Sequence, residues 1–477
     1  MNLDFWLIAP EITLTILAFV ILGLDLLFIR SAKKGLLGWL GAVGVLGVIA
    51  LLVTNRVTGL EGEFSRGFVA DSFAFFFKLI ILIAALLSCL ASVDFAGRQL
   101  RSPGEFFSLI LFSALGLMLM VSATDLIMLY LGLELGTISL YALAAMQKDR
   151  PHSGEAGLKY LVMGAVSSAI FLYGASLLYG SLGTTVFADM HAPALPGPAL
   201  LVGVIMVVAA FSFKITAVPF HMWAPDVYQG APTPITGFLS VASKAAGFAA
   251  LLRLFLGPAL FPLMEAWLAI LVVLSGLSMV AGNLLALPQS NIKRMLAYSG
   301  IASAGYVLIA LVAGSEKGAA SAIFFLFQYT FTNLGAFIVV TLVGSQEGND
   351  EISSYAGLSR RNPLLAAAML VLLLSLGGIP PLSGFWAKLF LFWAGVEQGF
   401  YGLVLIAVLA TVVSLYYYLM VARQMFIEEP VEKSPVRVAV PAAIALGICI
   451  IAVLALGYPT PWMHLAQAAA KVLNLPM

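Results

Sequence analysis

The stretch Phe213-Lys214-Ile215-Thr216-Ala217-Val218-Pro219-Phe220-His221-Met222-Trp223-Ala224-Pro225-Asp226 sets a lysine, a proline and a histidine inside an otherwise apolar run. Pro219 has no N–H, and its ring clashes with the carbonyl at i−4, that of Ile215, so the helix is expected to break one turn after Lys214. Freed carbonyls solvate an ammonium or line a wet cavity, as discontinuous helices do in transporters. A plain proline kink has no need of a neighbouring charge. His221 is the side chain that titrates nearest neutrality, and it joins the candidates, a hydrogen-bonded structural histidine being the alternative. A second break follows in Leu376-Gly-Gly-Ile-Pro380-Pro381-Leu-Ser383-Gly384-Phe-Trp-Ala-Lys388. Its prolines free the carbonyls of Leu376 and Gly377, and its lysine follows the break instead of preceding it.

Around these breaks the chain is poor in charge. Of 477 residues, 24 are Lys or Arg and 23 are Asp or Glu, about 10%, and 62% are apolar. A soluble domain carries roughly 25% charged and about 45–50% apolar residues, so this is a polytopic membrane protein. The net charge of +1 and the lack of a basic stripe exclude nucleic-acid binding, and two cysteines exclude a disulfide framework. Cys89 and Cys449 lie in apolar runs and read as small buried hydrophobes.

Apolar runs near 5–29, 36–54, 71–94, 105–122, 125–146, 158–181, 198–218, 233–256, 266–287, 294–314, 319–344, 363–398, 400–426 and 437–457 give about fourteen transmembrane helices. The fold is expected to be all-α, since the alternating pattern of a membrane barrel occurs nowhere. The first run lacks a basic leader and ends in Arg30, Lys33 and Lys34, so it reads as a retained span. With the N-terminus outside, fourteen Lys and Arg residues fall in cytoplasmic loops, Lys433 among them, and five on the other side. The bias places both termini on the extracytoplasmic side.

The other five basic residues, Lys78, Lys159, Lys214, Lys244 and Lys388, lie within spans. Each costs about 2.5–3.5 kcal/mol at a helix centre. Most carboxylates in the spans sit near helix ends, where they can reach water; Glu134 is the one firmly mid-helix. Tyr130 at i−4, Thr137 at i+3 and Tyr141 at i+7 share its face, a polar stripe that either ties helices together or holds water for protons. Lys244 has Ser240 at i−4 and Gly247 at i+3, a face open to close packing. Lys159 has Glu155 at i−4 and stands near the end of its span; it joins the candidates for the transfer, a structural ion pair being the alternative. Lys78 reads as structural, snorkelling or pairing with Asp71. The other histidines lie in loops, which leaves no haem or copper pair, and neither a phosphate loop nor a zinc spacing is present.

The two breaks are in the seventh and twelfth spans, five apart. An odd number of spans per unit inverts the second copy, so spans 4–8 and 9–13 are expected to form two inverted repeats. The opposite order of lysine and proline at the two breaks is taken as a product of that inversion. The domains are then 1–104 for helices 1–3, 105–257 for the first repeat, 258–427 for the second, and 428–477 for helix 14 and the tail.

The first break, continued through Val227-Tyr228-Gln-Gly230-Ala-Pro232-Thr233-Pro234 to Ser243-Lys244, closely resembles the antiporter-like subunits of proton-pumping NADH:quinone oxidoreductase, respiratory complex I. So do Asn291-Ile-Lys-Arg294-Met-Leu-Ala-Tyr298-Ser299 and Gly378-Ile-Pro380-Pro381-Leu-Ser-Gly384-Phe385-Trp-Ala-Lys388. Ala9-Pro10-Glu11-Ile, Lys159-Tyr-Leu-Val-Met-Gly164-Ala-Val-Ser167-Ser168 and Tyr355-Ala-Gly357-Leu358-Ser-Arg-Arg-Asn-Pro363 are similar to the subunit N branch. The larger subunit L continues into a lateral helix for which this chain stops too soon. Subunit M and the related Na⁺/H⁺ antiporter subunits generally carry Glu where Lys388 stands.

The resemblance implies a proton-translocating subunit with no cofactor or metal of its own, driven by quinone reduction elsewhere. NADH and quinone would bind other subunits, and membrane subunits of the complex would flank this one on both sides within the lipid bilayer. Glu134 would take the place of the fifth-span glutamate, Lys214 its paired lysine, Lys244 the central lysine and Lys388 the twelfth-span lysine on the exit side. His221 would belong to the polar route around the seventh-span break. The alternatives are a subunit of a multisubunit Na⁺/H⁺ antiporter or of a membrane-bound hydrogenase.

Overall fold

Short polar residues and prolines ahead of the apolar runs decide where the helices begin. Asp71 accepts a hydrogen bond from the Ala74 N–H at 2.7 Å and Asp125 one from the Ile127 N–H at 2.7 Å. Asn291, Ser315 and Asn362 cap their helices in the same way, while Pro103, Pro151 and Pro198 stand in first turns, where a missing N–H costs nothing. Two carboxylates that the sequence places near span ends are therefore helix caps.

The computed structural model describes residues 4–27, 35–191, 193, 196–430 and 434–475. Arg30, Lys33, Lys34 and Lys433, which enter the orientation count, lie outside the described residues. In chain order the elements are α1 (Ala9–Leu27), α2 (Gly35–Val57), the hairpin strands β1 (Gly62–Ser65) and β2 (Phe68–Ala70), α3 (Ser72–Gln99), α4 (Pro103–Val121), α5 (Leu126–Ala144) and α6 (Pro151–Leu182). Then come α7 (Pro198–Lys214), α8 (Trp223–Gly230), α9 (Thr233–Phe238), a π turn (Leu239–Ser243), α10 (Lys244–Phe255), α11 (Met264–Ala286), α12 (Ile292–Ala313) and α13 (Glu316–Glu347). The chain closes with α14 (Leu358–Arg361), α15 (Pro363–Gly377), α16 (Ser383–Glu397), α17 (Tyr401–Phe426), α18 (Val440–Ala455) and α19 (Thr460–Ala470).

Among the described residues eleven helices are long and apolar enough to cross a membrane, and α18 with α19, bent by 91°, makes a twelfth. The count reaches fourteen when α7 with α8 and α15 with α16 are each taken as one interrupted crossing. The all-helical membrane fold with two broken spans is as expected; the short β hairpin and the turned-back α19 are additions to it.

Helices α9–α10 and α12 and the middle of α13 are almost wholly buried, while α1, α2, α6 and α17 keep apolar faces outward. That is the layering expected where lipid, not water, surrounds the bundle. The α4–α5 pair is in backbone contact: a Cβ on Gly116 would lie 2.1 Å from the Gly136 nitrogen. α11 and α12 approach as closely, since a Cβ on Gly282 would lie 2.6 Å from the Ala302 nitrogen.

Lys78 is where the structure departs from the local reading. It does not pair with Asp71. Its Nζ lies 2.7 Å from Glu11 of α1, with both side chains buried, and 4.7 Å from the Phe68 ring centre. Asp71 instead receives two hydrogen bonds from Arg253 at the end of α10, at 2.8 and 3.0 Å. A cap already uses the Asp71 carboxylate, and Lys78 sits two turns along α3, where the α1 carboxylate is the anion within reach. Glu11, near a helix end in sequence, is thereby kept from water. The two ion pairs fasten α1 to α3 and the start of α3 to α10.

Candidate functional site

Helix α7 ends at Lys214 itself and not one turn later. Thr216 adopts left-handed φ of 65°, so its N–H reaches the Phe213 carbonyl at 3.1 Å and the Ala217 N–H reaches that of Ser212 at 2.8 Å. This paired closure ends a helix before the proline is met. The second break is the same motif: Gly378 has φ of 82°, its N–H bonds the Ser375 carbonyl at 3.0 Å, and the Ile379 N–H bonds that of Leu374 at 3.0 Å. In each case a cis X-Pro bond follows, Val218–Pro219 and Pro380–Pro381.

The motif runs in the same chain direction both times. Flipping a repeat in the membrane leaves its N-to-C order intact, so inversion does not account for the opposite order of lysine and proline. Aligned by their prolines, Lys214 matches Leu376 and Lys388 matches Asp226. The two lysines occupy different halves of their broken helices.

On α5, Gly132 and Gly136 turn toward α4, and Glu134 between them, partly buried, accepts a hydrogen bond from Ser168 of α6. One turn on, Thr137 accepts a hydrogen bond from the buried Lys214 Nζ while its own hydroxyl donates to the Leu133 carbonyl. Among the described residues no ion-pair contact joins Lys214 to Glu134; the hydroxyl stands where contact was expected. Tyr130 stacks on Phe171 at 6.1 Å, and Tyr141 meets Tyr160 edge-on at 4.7 Å. Tyr160 in turn stacks on Trp223 at 4.5 Å, which fixes α8 against α6. The Trp223 indole N–H donates at 3.2 Å to the Phe213 carbonyl, which also accepts the Thr216 N–H of the closing turn.

Lys244, buried at the start of α10, donates to the Gly300 carbonyl of α12 and lies 5.7 Å from the Tyr329 ring centre. A Cβ on Gly300 would come within 3.1 Å of its Nζ, so the missing side chain admits the ammonium. Ser240 does not share this contact, because the π turn swings it to accept from Asn333 at 2.7 Å. Gly247, one turn beyond Lys244, packs on Lys214, whose Cγ would lie 3.3 Å from a Cβ there. The two lysines thus flank one short stretch of α10.

From Lys244 a line of polar groups leads toward Lys388. Ser299, beside Gly300, bonds the Tyr418 hydroxyl at 2.5 Å, and the rings of Tyr417 and Tyr418 lie 4.5 Å apart. Tyr417 donates to Asn283 Oδ1 at 3.0 Å, and Asn283 Nδ2 donates to the Tyr306 hydroxyl at 3.2 Å. Lys388, buried, has its Nζ 5.0 Å from the Tyr306 ring centre and 3.5 Å from the Gly377 carbonyl at the second break. Among the described residues no carboxylate pairs with Lys388. Tyr417, Tyr418, Asn283 and Tyr306 escape the sequence reading, although three successive tyrosines inside an apolar helix are an unusual polar load.

Two candidates stand apart. Lys159 is at the surface, its side chain 42% exposed, 2.7 Å from both Glu155 and Asp226. Asp226 also meets Arg294 at 2.8 Å, so this cluster ties α6, α8 and α12 together at one end of the bundle. His221 is half-buried in the break, and among the described residues it makes no hydrogen bond to Glu134, Lys214, Lys244 or Lys388. At the same end a cavity of about 470 Å³ opens between the loops, lined by Gln147, His152, Thr233, Lys293 and Asp350. Lys293 is buried beneath it, 3.5 Å from Asp350 and donating to the Ala231 carbonyl at 2.8 Å.

Residues 123–414, which hold both breaks and every lysine of the buried line, match the family described as NADH:quinone oxidoreductase/Mrp antiporter, TM. The chain belongs to that family. It is 45% identical to NADH-quinone oxidoreductase subunit N of Moorella thermoacetica over 98% of this chain and 99% of the relative. Among solved structures, a chain of respiratory complex I from Thermus thermophilus with bound aureothin superposes with a TM-score of 0.80 at 34% identity, covering 94% of this chain and 96% of that one. The Mrp complex from Dietzia sp. DQ12-45-1b matches with a TM-score of 0.86 at 22% identity over 98% of each chain, which speaks for the fold alone. The subunit N branch of the family is thus the one this chain shares in sequence as well as in shape.

Proposed function

We infer that the chain is a proton-translocating membrane subunit of the subunit N kind in an NADH:quinone oxidoreductase, and that Glu134, Lys214, Lys244 and Lys388 carry the transfer as a hydrated relay. The observation that bears most on this reading is that three buried lysines and the polar side chains of Thr137, Ser299, Tyr418, Tyr417, Asn283 and Tyr306 lie between the first break and the second. A buried ammonium held by a hydroxyl, a carbonyl or a ring face, with no carboxylate in contact, is free to give up its proton. Glu134 stands one turn along α5 from Thr137, the partner of Lys214, and a movement of the carboxylate toward that lysine would favour its charged form. Moving a charge across the membrane costs about 2.3 kcal/mol per 100 mV, and electrostatic coupling between neighbouring buried groups is of that size.

The lysines have different surroundings and so different parts. Lys214 answers to Glu134, Lys244 stands at the crossing of α10 and α12, and Lys388 ends the line beside the second break. The cavity above Lys293 and Thr233 is read as the uptake side. His221 belongs to the polar surroundings of the first break, and Lys159 pairs at the surface with Asp226 of α8, outside the relay. The chain works as part of respiratory complex I with other subunits, which bind NADH and quinone and flank it on both sides. We read 105–257 and 258–427 as the inverted repeats between 1–104 and 428–477; the shared break motif and the contact pairs α4–α5 and α11–α12 support the division. The excess of Lys and Arg on one side supports extracytoplasmic termini in a bacterial inner membrane.

The test is proton pumping by the reconstituted complex carrying Lys214→Ala or Glu134→Gln. Fewer protons per NADH oxidised, with assembly intact, is expected; an unchanged ratio in fully assembled complex overturns the relay.

A further inference from the structure

Away from the lysine line, a cavity of about 440 Å³ lies between the ends of α3 and α13 and the start of α18. Its outer rim carries Arg98, Arg437 and Asp94, all exposed, and none of the three makes an ion pair among the described residues. Gln346 pins the rim by holding Arg437 at both backbone groups, donating to its carbonyl at 2.8 Å and accepting from its N–H at 3.2 Å. Deeper walls are apolar, formed by Leu90, Leu342 and Ala442. Leu90 precedes Arg98 by eight residues, about 12 Å along a helix. The cavity is therefore charged at the loop end and apolar toward the middle of the bundle, in the direction a lipid lies.

We propose that this cavity binds the head group of phosphatidylethanolamine, with its phosphodiester between Arg98 and Arg437 and its ammonium at Asp94. Two guanidinia match a phosphate, which arginine bonds well in a partly desolvated setting. The lone carboxylate matches a cation that can donate hydrogen bonds, which favours a primary ammonium over choline and disfavours a purely anionic head group. The apolar wall then receives the start of the acyl chains, and basic pockets between spans are known lipid head-group sites in general. Bound there, the lipid would join α3, of the first three helices, to α13 and α18.

The test uses the assembled complex in vesicles containing a phosphatidylethanolamine analogue with a photoreactive group near its head, followed by peptide mapping. Adducts are expected on peptides covering 87–100 and 434–446. Unlabelled phosphatidylethanolamine should compete better than phosphatidylglycerol or phosphatidylcholine. Arg98→Gln with Arg437→Gln should lower labelling about tenfold, which is about 1.4 kcal/mol, with recovery when both are Lys. Asp94→Asn should reverse the preference in favour of phosphatidylglycerol. Absence of adducts on these peptides, as when a partner subunit covers the face, overturns the proposal. So does labelling that the double Gln variant leaves unchanged, or phosphatidylglycerol competing best on the unaltered chain.

Discussion

The two broken helices share one backbone motif and differ in where they place charge. In both, a residue with left-handed φ, Thr216 or Gly378, closes the first half, and the proline stands three positions later. At the first break the buried lysine is the last residue of the first half, with Thr137 as its partner and Glu134 nearby. At the second the lysine is in the second half, over Tyr306 and the Gly377 carbonyl. The position matching Lys388 is Asp226, which Lys159 and Arg294 hold at the surface. The backbone thus interrupts the helix in each case, and side-chain placement decides which break has a carboxylate one turn from the partner of its lysine.

The sharpest way to separate the two breaks is at the third residue after each proline, Met222 and Gly384. A Cβ on Gly384 would lie 1.8 Å from the Ser375 carbonyl oxygen, so Gly384→Ala forces α16 off α15. The expected cost is about 3 kcal/mol or more, read as loss of assembled chain and a lower melting temperature. Met222 is 71% exposed, and Met222→Ala should stay within about 0.5 kcal/mol.

Next in size is Thr137→Val, which keeps shape but removes the hydroxyl that Lys214 bonds. It should cost about 1–3 kcal/mol at the site and lower protons pumped per NADH, while Thr137→Ser keeps the ratio. A Val variant that pumps normally would mean that the first lysine needs its hydroxyl no more than Lys388 does.

Smaller effects follow from the closing residues. Gly378→Ala should destabilise by about 1–2 kcal/mol because a side chain resists left-handed φ, and it crowds Lys388, whose Cδ would be 3.2 Å from the new Cβ. Thr216→Gly should raise the melting temperature, since the same resistance is relieved. The least change is expected from Lys159→Gln, because an exposed ion pair contributes little. Melting temperature and pumping ratio should both stay near those of the unaltered chain, and a large fall in pumping would move Lys159 into the relay.

Much of the fold is legible in the sequence because lipid imposes a simple rule: a span must be apolar and helical. The charges that violate the rule stand out for the same reason, and Glu134, Lys214, Lys244 and Lys388 are all visible as violations. What is not legible is partner choice. Lys78 pairs with Glu11, sixty-seven residues away, and not with nearby Asp71; Lys214 meets Thr137 in place of Glu134. Tyr306, Tyr417, Tyr418 and Asn283 look like ordinary interfacial or packing residues until three helices bring their polar atoms together.

The sequence by itself determined that this chain lies in a membrane, which two spans break and that Lys214, Lys244 and Lys388 stay inside, because burying charge in lipid is costly enough to leave a mark residue by residue. Tertiary structure alone decided that Lys214 bonds the Thr137 hydroxyl and that Ser299, Tyr418, Tyr417, Asn283 and Tyr306 line up between Lys244 and Lys388. Those facts depend on distances of a few ångströms between side chains from different helices, and spacing along one chain carries no record of them.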